Sequence, residues 1–295
     1  MLNAMTVDLE DWPQSVLDPR HPITDRVVEN TYHVLDLLDR LHVRATFFAL
    51  GRVCERFPHL LPTVAAAGHE ISSHGYGHEL VYRLTPPQFA EDLRRSITII
   101  EAQTGRRPLG YRAPAFSITA RSMWAGRILA DLGFHYSSSI YPIAGRRYGI
   151  AHWPRRPQPW PDCDLIEFPP TTVRLAGRNW PACGGGYTRL LPAAVMAWAI
   201  RRLNRGGAPA VVYLHPYELS VDEVHFYLQA GVRCSRAQRL TQSLWRSRVG
   251  PRVSRLLGEF AFGPMSEALA TWSRPKALPE NAAWALPSAS VPHPA

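Results

Sequence analysis

Hydrophobic positions along the chain come in short unbroken runs separated by longer stretches with helical spacing. Met1 to Val7 reads as an apolar strand, and Val27, Val28, Val34, Leu35, Leu38 and Leu41 then mark one face of a helix over Asp25–Leu41. Ala45 to Leu50 predicts a second strand, Leu60 to Ala67 a helix opened by Pro58, and Glu70 to Ser73 a third strand. The alternation continues with a helix over Pro86–Thr104 stopped by Gly105, an extended Gly110–Arg112, a helix over Thr119–Leu132 stopped by Gly133, and an extended His135–Ile140. Residues 142–163, crowded with Pro154, Pro157, Pro159 and Pro161, predict a long surface loop. Leu165–Phe168 is strand-like, Gly184-Gly185-Gly186 a turn, Pro192–Asn204 a helix and Ala210–Leu214 a strongly apolar strand. Helices are expected at 222–230 and 236–270. Continuous apolar strands alternating with helices imply a parallel sheet covered by helices, either a barrel or a doubly wound sheet.

Composition narrows the chemistry. With 295 residues, 46% of them hydrophobic, the chain is long enough to bury one large core. Its net charge of +9 is carried by arginine, the single lysine being Lys276. That removes a pocket lysine for Schiff-base catalysis and the Gly-Lys-Ser/Thr of a phosphate loop. The arginines are scattered singly or in pairs, which reads as a solvated surface and argues against nucleic acid as a partner. The densest basic stretch, 233–255, is a candidate face for an acidic polymer or anionic lipid. Cys54, Cys163, Cys183 and Cys234 are too widely spaced for a zinc ribbon or a disulfide framework. The first residues read as a strand rather than a signal peptide, and no long apolar run predicts a membrane span. The expectation is a cytoplasmic protein, with peripheral membrane association left open. The Pro/Ala/Ser-rich 275–295 is expected to be disordered.

Polar residues with reactive side chains fall at the C-terminal ends of predicted strands, where (β/α) barrels keep their chemistry. Ser73-His74-Gly75-Tyr76-Gly77-His78 sets two imidazoles four apart, a spacing that suits a divalent metal, in a run whose two glycines disfavour a helix. Taken alone, the pair is equally compatible with two partly buried structural histidines. Strand alternation puts Asp8 and Glu10 on one face and turns Asp11 away. Arg112 stands at the end of a fourth strand and His215 at the end of the last, before Pro216.

In order along the chain, these segments resemble the motifs of the NodB-homology polysaccharide deacetylases, carbohydrate esterase family 4. Thr6-Val7-Asp8-Leu9-Glu10-Asp11 is similar to the first motif, with its leading base and metal-binding acid. Ser73 to His78 is similar to the His-Ser/Thr-x-x-His metal motif, Arg112-Ala113-Pro114 to Arg-x-Pro, and Tyr213-Leu214-His215 to Leu-x-His. The resemblance covers roughly residues 1–220. It implies an α/β fold, a distorted (β/α) barrel, as a catalytic domain over 1–220, with a helical C-terminal extension over 221–274 packed on it. It also implies a metal-dependent hydrolase that removes N-acetyl groups from an acetamido sugar of a polysaccharide. Asp8 would be the general base and Arg112 would orient it, His215 would be the general acid, and the backbone of Ala115 would help hold the oxyanion. The metal would sit on His74, His78 and Glu10, or Asp11 in place of Glu10; zinc suits that set, and cobalt, nickel or iron would fit. Leu214, Tyr76 and Trp12 are expected beside the substrate, and Trp12, Tyr76, Trp153, Trp160 and Trp180 are candidates for stacking on sugar rings.

Three phrases are similar to a narrower subgroup, the deacetylases of exosortase-linked exopolysaccharide loci: Asp8-Leu9-Glu10-Asp11-Trp12, Gly184-Gly185-Gly186-Tyr187 before Leu190-Leu191-Pro192, and His215-Pro216-Tyr217-Glu218. Two departures stand out. Leu9 separates acids that are adjacent in most relatives. Ser137 lies where relatives carry an Asp paired with the acid histidine, so Asp164, Glu167 or another acid must substitute, or His215 titrates lower. Two other functions share these residues: hydrolysis of a small cyclic amide or ureide in the same fold, and carbohydrate binding without catalysis.

Overall fold

The molecule is described here by a computed structural model covering residues 1–145 and 148–272; the predicted disordered tail 275–295 lies outside the described residues. Its strands are β1 (Asn3–Leu9), β2 (Thr46–Ala49), β3 (Glu70–Ser73), β4 (Gly110–Tyr111), β5 (Tyr136–Ser137), β6 (Gln158–Pro159), β7 (Ile166–Glu167), β8 (Thr172–Leu175), β9 (Arg178–Pro181), β10 (Val211–Leu214) and β11 (Phe262–Gly263). Nine of them form one sheet in the order β10-β1-β2-β3-β4-β5-β7-β6, with β11 also paired to β1. All pairs in it are parallel except β6 with β7. The result is a curled half-barrel rather than a closed barrel, because the two ends of the order, β10 and β6, do not pair.

β1 is buried at every position, as expected of a central parallel strand covered on both faces. One layer of the core lies between this strand, β2 and β10 and the helices Arg26–Arg40, Ala193–Arg205 and Val249–Glu259, with Phe47, Met196, Ile200 and Leu256 fully buried in it. Truncating a side chain such as Phe47 to Ala would cost about 3–5 kcal/mol. The helix Pro86–Thr104 starts with a Thr85/Gln88 capping box and ends at Gly105, whose φ of 67° suits the left-handed turn there.

Three sequence expectations change. β1 begins and ends two residues later than the predicted Met1–Val7, which brings Asp8 inside the strand. The predicted helix over Thr119–Leu132 is a 3₁₀ turn at Ala120–Ser122 followed by a helix at Ala125–Asp131. The predicted helix 236–270 is broken into Arg236–Ser243, Val249–Glu259 and Met265–Thr271, with β11 between the last two. The extension after 220 is therefore not purely helical: it adds a strand to the central sheet, Asn3 pairing with Phe262 and Ala4 with Gly263. The β8–β9 hairpin was not foreseen. Its two-residue loop, Ala176-Gly177, takes φ of 47° and 75°, the geometry of a primed turn.

Candidate active site

The register of the sheet places the polar residues. Asp8 lies opposite Phe48 on one side of β1, Val7 opposite Leu214 on the other, and His74, Arg112 and His215 each follow the last residue of a strand. Alternation turns Asp8 and Glu10 to the same side, and both line a cavity of about 600 Å³ together with His78, Ala115, His215 and Glu218.

Glu10, His74 and His78 form one buried cluster whose ligand-type atoms all lie within 4.8 Å of one another. Glu10 Oε2 is 2.6 Å from His78 Nε2 and 3.8 Å from His74 Nε2. His74 Nδ1 lies 2.8 Å from the Arg112 carbonyl, which can only accept, so the proton sits on Nδ1 and Nε2 presents its lone pair to the cluster. Burial pulls the His74 imidazole down to about 4, keeping it in the neutral form a metal needs. Burial alone would raise the Glu10 carboxyl; the charges and hydrogen bonds of His78 and His215 hold it well below the usual range. His74 Nε2, turned to the cluster, is buried with no hydrogen-bond partner, and Glu10 Oε2 has only the facing imidazole of His78 beside it. A buried lone pair left without a partner is costly unless something binds it, and two imidazoles with a carboxylate are the ligand set of a catalytic zinc-type site. The residues fit a divalent ion.

Asp11 is elsewhere. Its carboxylate caps the short helix Trp12–Val16 by accepting from Trp12 N (3.0 Å), and it also takes Thr24 N (2.8 Å), Thr24 Oγ1 (2.9 Å) and the Tyr227 hydroxyl (2.5 Å). It is a fully committed structural group. The structure brings Glu10, not Asp11, to the histidines.

The loop carrying His74 and His78 owes its shape to a residue that the sequence did not single out. Asp92, from the helix Pro86–Thr104, accepts from Tyr76 N at 2.8 Å and Gly77 N at 2.9 Å. Gly75 has φ of 76°, and a Cβ there would lie 2.7 Å from Asp92 Oδ2. Glycine stands at the usual Ser/Thr place because the carboxylate comes that close to the backbone.

Arg112 is completely buried. Its Nη1 donates to Asp8 Oδ1 at 2.6 Å and Thr6 Oγ1 at 2.9 Å, its Nη2 to Ser138 Oγ at 3.0 Å, and its guanidinium lies 4.2 Å from the Phe48 ring centre. Breaking a buried pair of this kind by removing one member costs about 3–5 kcal/mol. The serine run belongs to this support: Ser137 donates to Ser139 Oγ, and Ser139 Oγ accepts from Ala113 N at 2.9 Å. Glu167 holds the next turn, accepting from Ser139 N at 2.6 Å, Ile140 N at 2.7 Å and Trp160 Nε1 at 3.1 Å.

The acid that faces His215 is therefore neither Glu167 nor the exposed Asp164. It is Glu218, three residues on, with Oε2 at 3.3 Å from His215 Nδ1 and 3.1 Å from His215 N. On the other edge of the ring, His215 Nε2 is 3.0 Å from Glu10 Oε1 and 3.8 Å from Asp8 Oδ2. Burial disfavours the imidazolium, but hydrogen bonds and charges from Glu10 and Glu218 outweigh it and push His215 well above its ordinary value. Of the two alternatives offered by the sequence, the arrangement matches substitution by another acid, Glu218, and not a lowered His215. Tyr217 stacks on the imidazole at 4.9 Å and 9°. The i, i+3 spacing of His215 and Glu218 across Pro216 was the signal available in the sequence, and it also lets Glu218 N donate to the His215 carbonyl at 2.9 Å.

Ala115 lines the cavity with φ of 50° and ψ of 29°, followed by Phe116 at φ of 52°. Two successive left-handed non-glycine residues are strained by roughly 1–2 kcal/mol each. Phe116 is clamped edge-on by Tyr141 and Tyr213 at 5.1 and 5.0 Å.

Other expected contacts lie away from the cavity. Trp12 is fully buried and stacked on Tyr227, Leu214 is in the core, and Trp153 and Trp160 pack on each other under the sheet edge. Tyr76 is turned outward, its hydroxyl donating to Glu55 at 2.8 Å and its ring under Arg95. Trp180 is 52% exposed but not at this cavity. The aromatic wall consists instead of Tyr148, Tyr187, Tyr213 and Tyr217. Tyr213 occupies the usual Leu place because Gly184 and Gly185 lie against its ring; a Cβ at Gly184 would collide with it.

Comparison with known proteins agrees with this picture. Residues 21–137 match the family model described as polysaccharide deacetylase, and residues 138–270 match a domain of unknown function, DUF3473. Asp8 and Glu10 precede the first match; His215 and Glu218 lie in the second. A peptidoglycan deacetylase of Helicobacter pylori is 34% identical over 107 residues, 36% of this chain and 36% of that protein. A chitooligosaccharide deacetylase of a Bradyrhizobium species is 29% identical over 193 residues, 60% of this chain and 80% of that protein. The chain thus spans about a third of the length of the peptidoglycan deacetylase it matches. A crystal structure from Mycobacterium smegmatis, provisionally assigned as a polysaccharide deacetylase, shares the fold with a TM-score of 0.59 at 22% identity, covering 93% of this chain and 94% of that one.

Proposed function

We propose, from the match of residues 21–137 to the polysaccharide deacetylase family model, that the whole chain is a metal-dependent hydrolase removing N-acetyl groups from an acetamido sugar of a polysaccharide. One observation carries the reading: a buried His/His/Glu cluster, an Arg-held Asp and a Glu-held His converge on one cavity.

Glu10, His74 and His78 would hold the ion, with zinc the best match to their donor atoms. When bound, a divalent ion there supplies a polarised acetyl carbonyl and a water acidic enough to lose its proton near neutral pH. Asp8, fixed through Oδ1 by Arg112, has Oδ2 available to take that proton. His215, with its Nε2 edge toward Glu10 and the cavity, would give its proton to the departing nitrogen, with the Glu218 carboxylate 3.3 Å from Nδ1 to favour the charged ring. The products are acetate and a free amino sugar. Ala115 lies on the cavity wall in a left-handed turn, and its backbone N–H would be the donor that an oxyanion needs.

The finer placement, an exopolysaccharide or its precursor of the exosortase-linked kind, is supported by the three sequence phrases. Asp11 and Trp12 anchor on Tyr227, the glycines seat Tyr213, and Glu218 faces His215. Acetate release from a panel of acetylated oligosaccharides, chitin fragments, peptidoglycan and a ureide control tests the proposal, run with chelator and with zinc, cobalt, nickel or iron restored. Release is expected from a polysaccharide substrate only with metal. Unchanged release under chelator would refute the proposal, and turnover of the ureide alone would favour the cyclic-amide reading.

A further inference from the structure

The basic stretch 233–255 is partly consumed inside the fold: Arg246 donates to the carbonyls of Gln242 and Tyr217, and Arg252 to those of Thr188 and Arg189. A different basic surface is left unpaired. A cavity of about 690 Å³ outside the active site is lined by Arg155, Arg156, Arg202 and Arg205 with Trp198 and Val173, and no carboxylate lines it. Among the described residues, none of these four arginines, nor Arg174 or Arg178 on the adjoining hairpin, is in a salt bridge. Their mutual crowding registers at Arg155, which burial and the charges of Arg174 and Arg202 all pull below its ordinary value.

Apolar side chains project from the same region. Trp198 is 39% exposed and Val195, one turn earlier on the helix Ala193–Arg205, is 40% exposed. In the β8–β9 hairpin Val173 pairs with Trp180 and Leu175 with Arg178, so these four share the face whose Val173 lines the cavity. Leu175 is 46% and Trp180 52% exposed. The hairpin is tied to the loop carrying Arg155 and Arg156 through Asn179, which donates to the carbonyls of Pro142 and Ala151. Basic and apolar groups therefore sit on one firmly held surface.

We propose that this surface, built from residues 154–156, the β8–β9 hairpin and the helix Ala193–Arg205, docks the protein on an anionic phospholipid membrane. Five guanidinium groups, those of Arg155, Arg156, Arg178, Arg202 and Arg205, in no salt bridge among the described residues, complement phosphate-bearing head groups, and two exposed tryptophans suit the interface between head groups and acyl chains. Leu175 and Val195 decide between partners: aliphatic side chains gain by leaving water for lipid, whereas a hydrated acidic polymer offers them nothing. A second copy of the chain would bring the same arginines face to face.

The test is co-sedimentation of the full chain with vesicles of phosphatidylcholine alone or mixed with phosphatidylglycerol, at low and high salt, with polygalacturonate as the polymer control. Two variants accompany it: Arg155→Gln/Arg202→Gln/Arg205→Gln and Trp180→Ala/Trp198→Ala. Binding only to phosphatidylglycerol vesicles, weakened by salt, roughly a hundredfold weaker in the arginine variant and several-fold weaker in the tryptophan variant, supports the proposal. Unfolding midpoints close to that of the parent show that neither loss comes from misfolding. Absence of binding to anionic vesicles overturns it. So does vesicle binding that neither variant changes, or a stronger capture by polygalacturonate that the arginine variant abolishes.

Discussion

The two halves of the chain contribute unlike things to one cavity. Residues 1–137 supply Asp8, Glu10, His74 and Arg112 from the C-terminal parts of buried parallel strands and His78 from the loop after β3, pinned by groups such as Asp92, Thr6 and the Arg112 carbonyl. Residues 138–272 supply His215 and Glu218 together with a wall of tyrosines, on short elements latched by side chains: Arg189 donates to the carbonyls of Thr241 and Gln242, and Arg246 to that of Tyr217. Neither half is complete alone, because β1 pairs with β10 on one edge and with β2 and β11 on the other. The first half is built like a metal-and-base platform that tolerates little change. On the proposed mechanism the second would deliver an acid and shape what enters.

The sharpest way to break that contrast is to remove one reacting group from each half. Asp8→Asn and His215→Ala should each lower acetate release by about 10²–10⁴-fold. Bound metal, measured by elemental analysis, should stay in both, because neither residue belongs to the three-ligand cluster. Loss of metal in His215→Ala would mean that the halves are not divided as described.

Glu218→Gln probes the second half more gently. Removing the carboxylate from Nδ1 leaves the imidazole without its orienting charge, and a loss of about 10–100-fold in kcat is expected with KM little changed. Restoration of most of that rate by Glu218→Asp would mark a positioning role for the carboxylate rather than a packing role.

Stability against pH separates the halves in another way. His69, at the start of β3, accepts from Ala45 N through Nδ1, and burial pulls it down to about 4 from 6.5. The folded form then resists protonation that the unfolded chain accepts, so stability is lost as pH falls from 6.5 toward 4. Glu167 in the second half is pushed up to about 7 from 4.5, chiefly by burial. Its contribution has the opposite sign, present below pH 4.5 and lost as pH rises through 7. Each effect is on the order of 2–3 kcal/mol at most, and they oppose one another in between. Urea unfolding across this range should show a falling slope with rising pH in His69→Gln and a rising slope in Glu167→Gln; slopes of the same sign would contradict the assignment.

The smallest effect is expected at the wall. Tyr187→Ala should raise KM several-fold, about 1 kcal/mol, with kcat nearly unchanged, measured by acetate release against substrate concentration.

Much of this arrangement was legible in the sequence where a rule of local geometry applied. Period-two alternation put Asp8 and Glu10 on one face, and strand ends located His74, Arg112 and His215. Asp11 went its own way for the reason alternation gives, and then found a helix to cap. What escaped depended on long-range packing. Asp92 reaches the metal loop from a helix fifteen residues on, and nothing local reveals it. Ser137 looked like a missing charge because its structural role, bracing Ser139 under Arg112, involves contacts distant in sequence. The tryptophans looked like sugar platforms, yet three of them were needed in the core. The long C-terminal helix failed where Phe262 found an open position beside Asn3, which no helical period encodes.

The central claim is that the two halves form a single metal-dependent site. It is tested most directly by acetate release per bound metal in the parent, Glu10→Gln and His215→Ala proteins during stepwise restoration of zinc to chelated samples. Release in the parent is expected to rise with metal and level off at one equivalent, Glu10→Gln to bind and release nothing, and His215→Ala to bind one equivalent but stay nearly inactive. Release by metal-free parent protein, or full activity in His215→Ala, would contradict it.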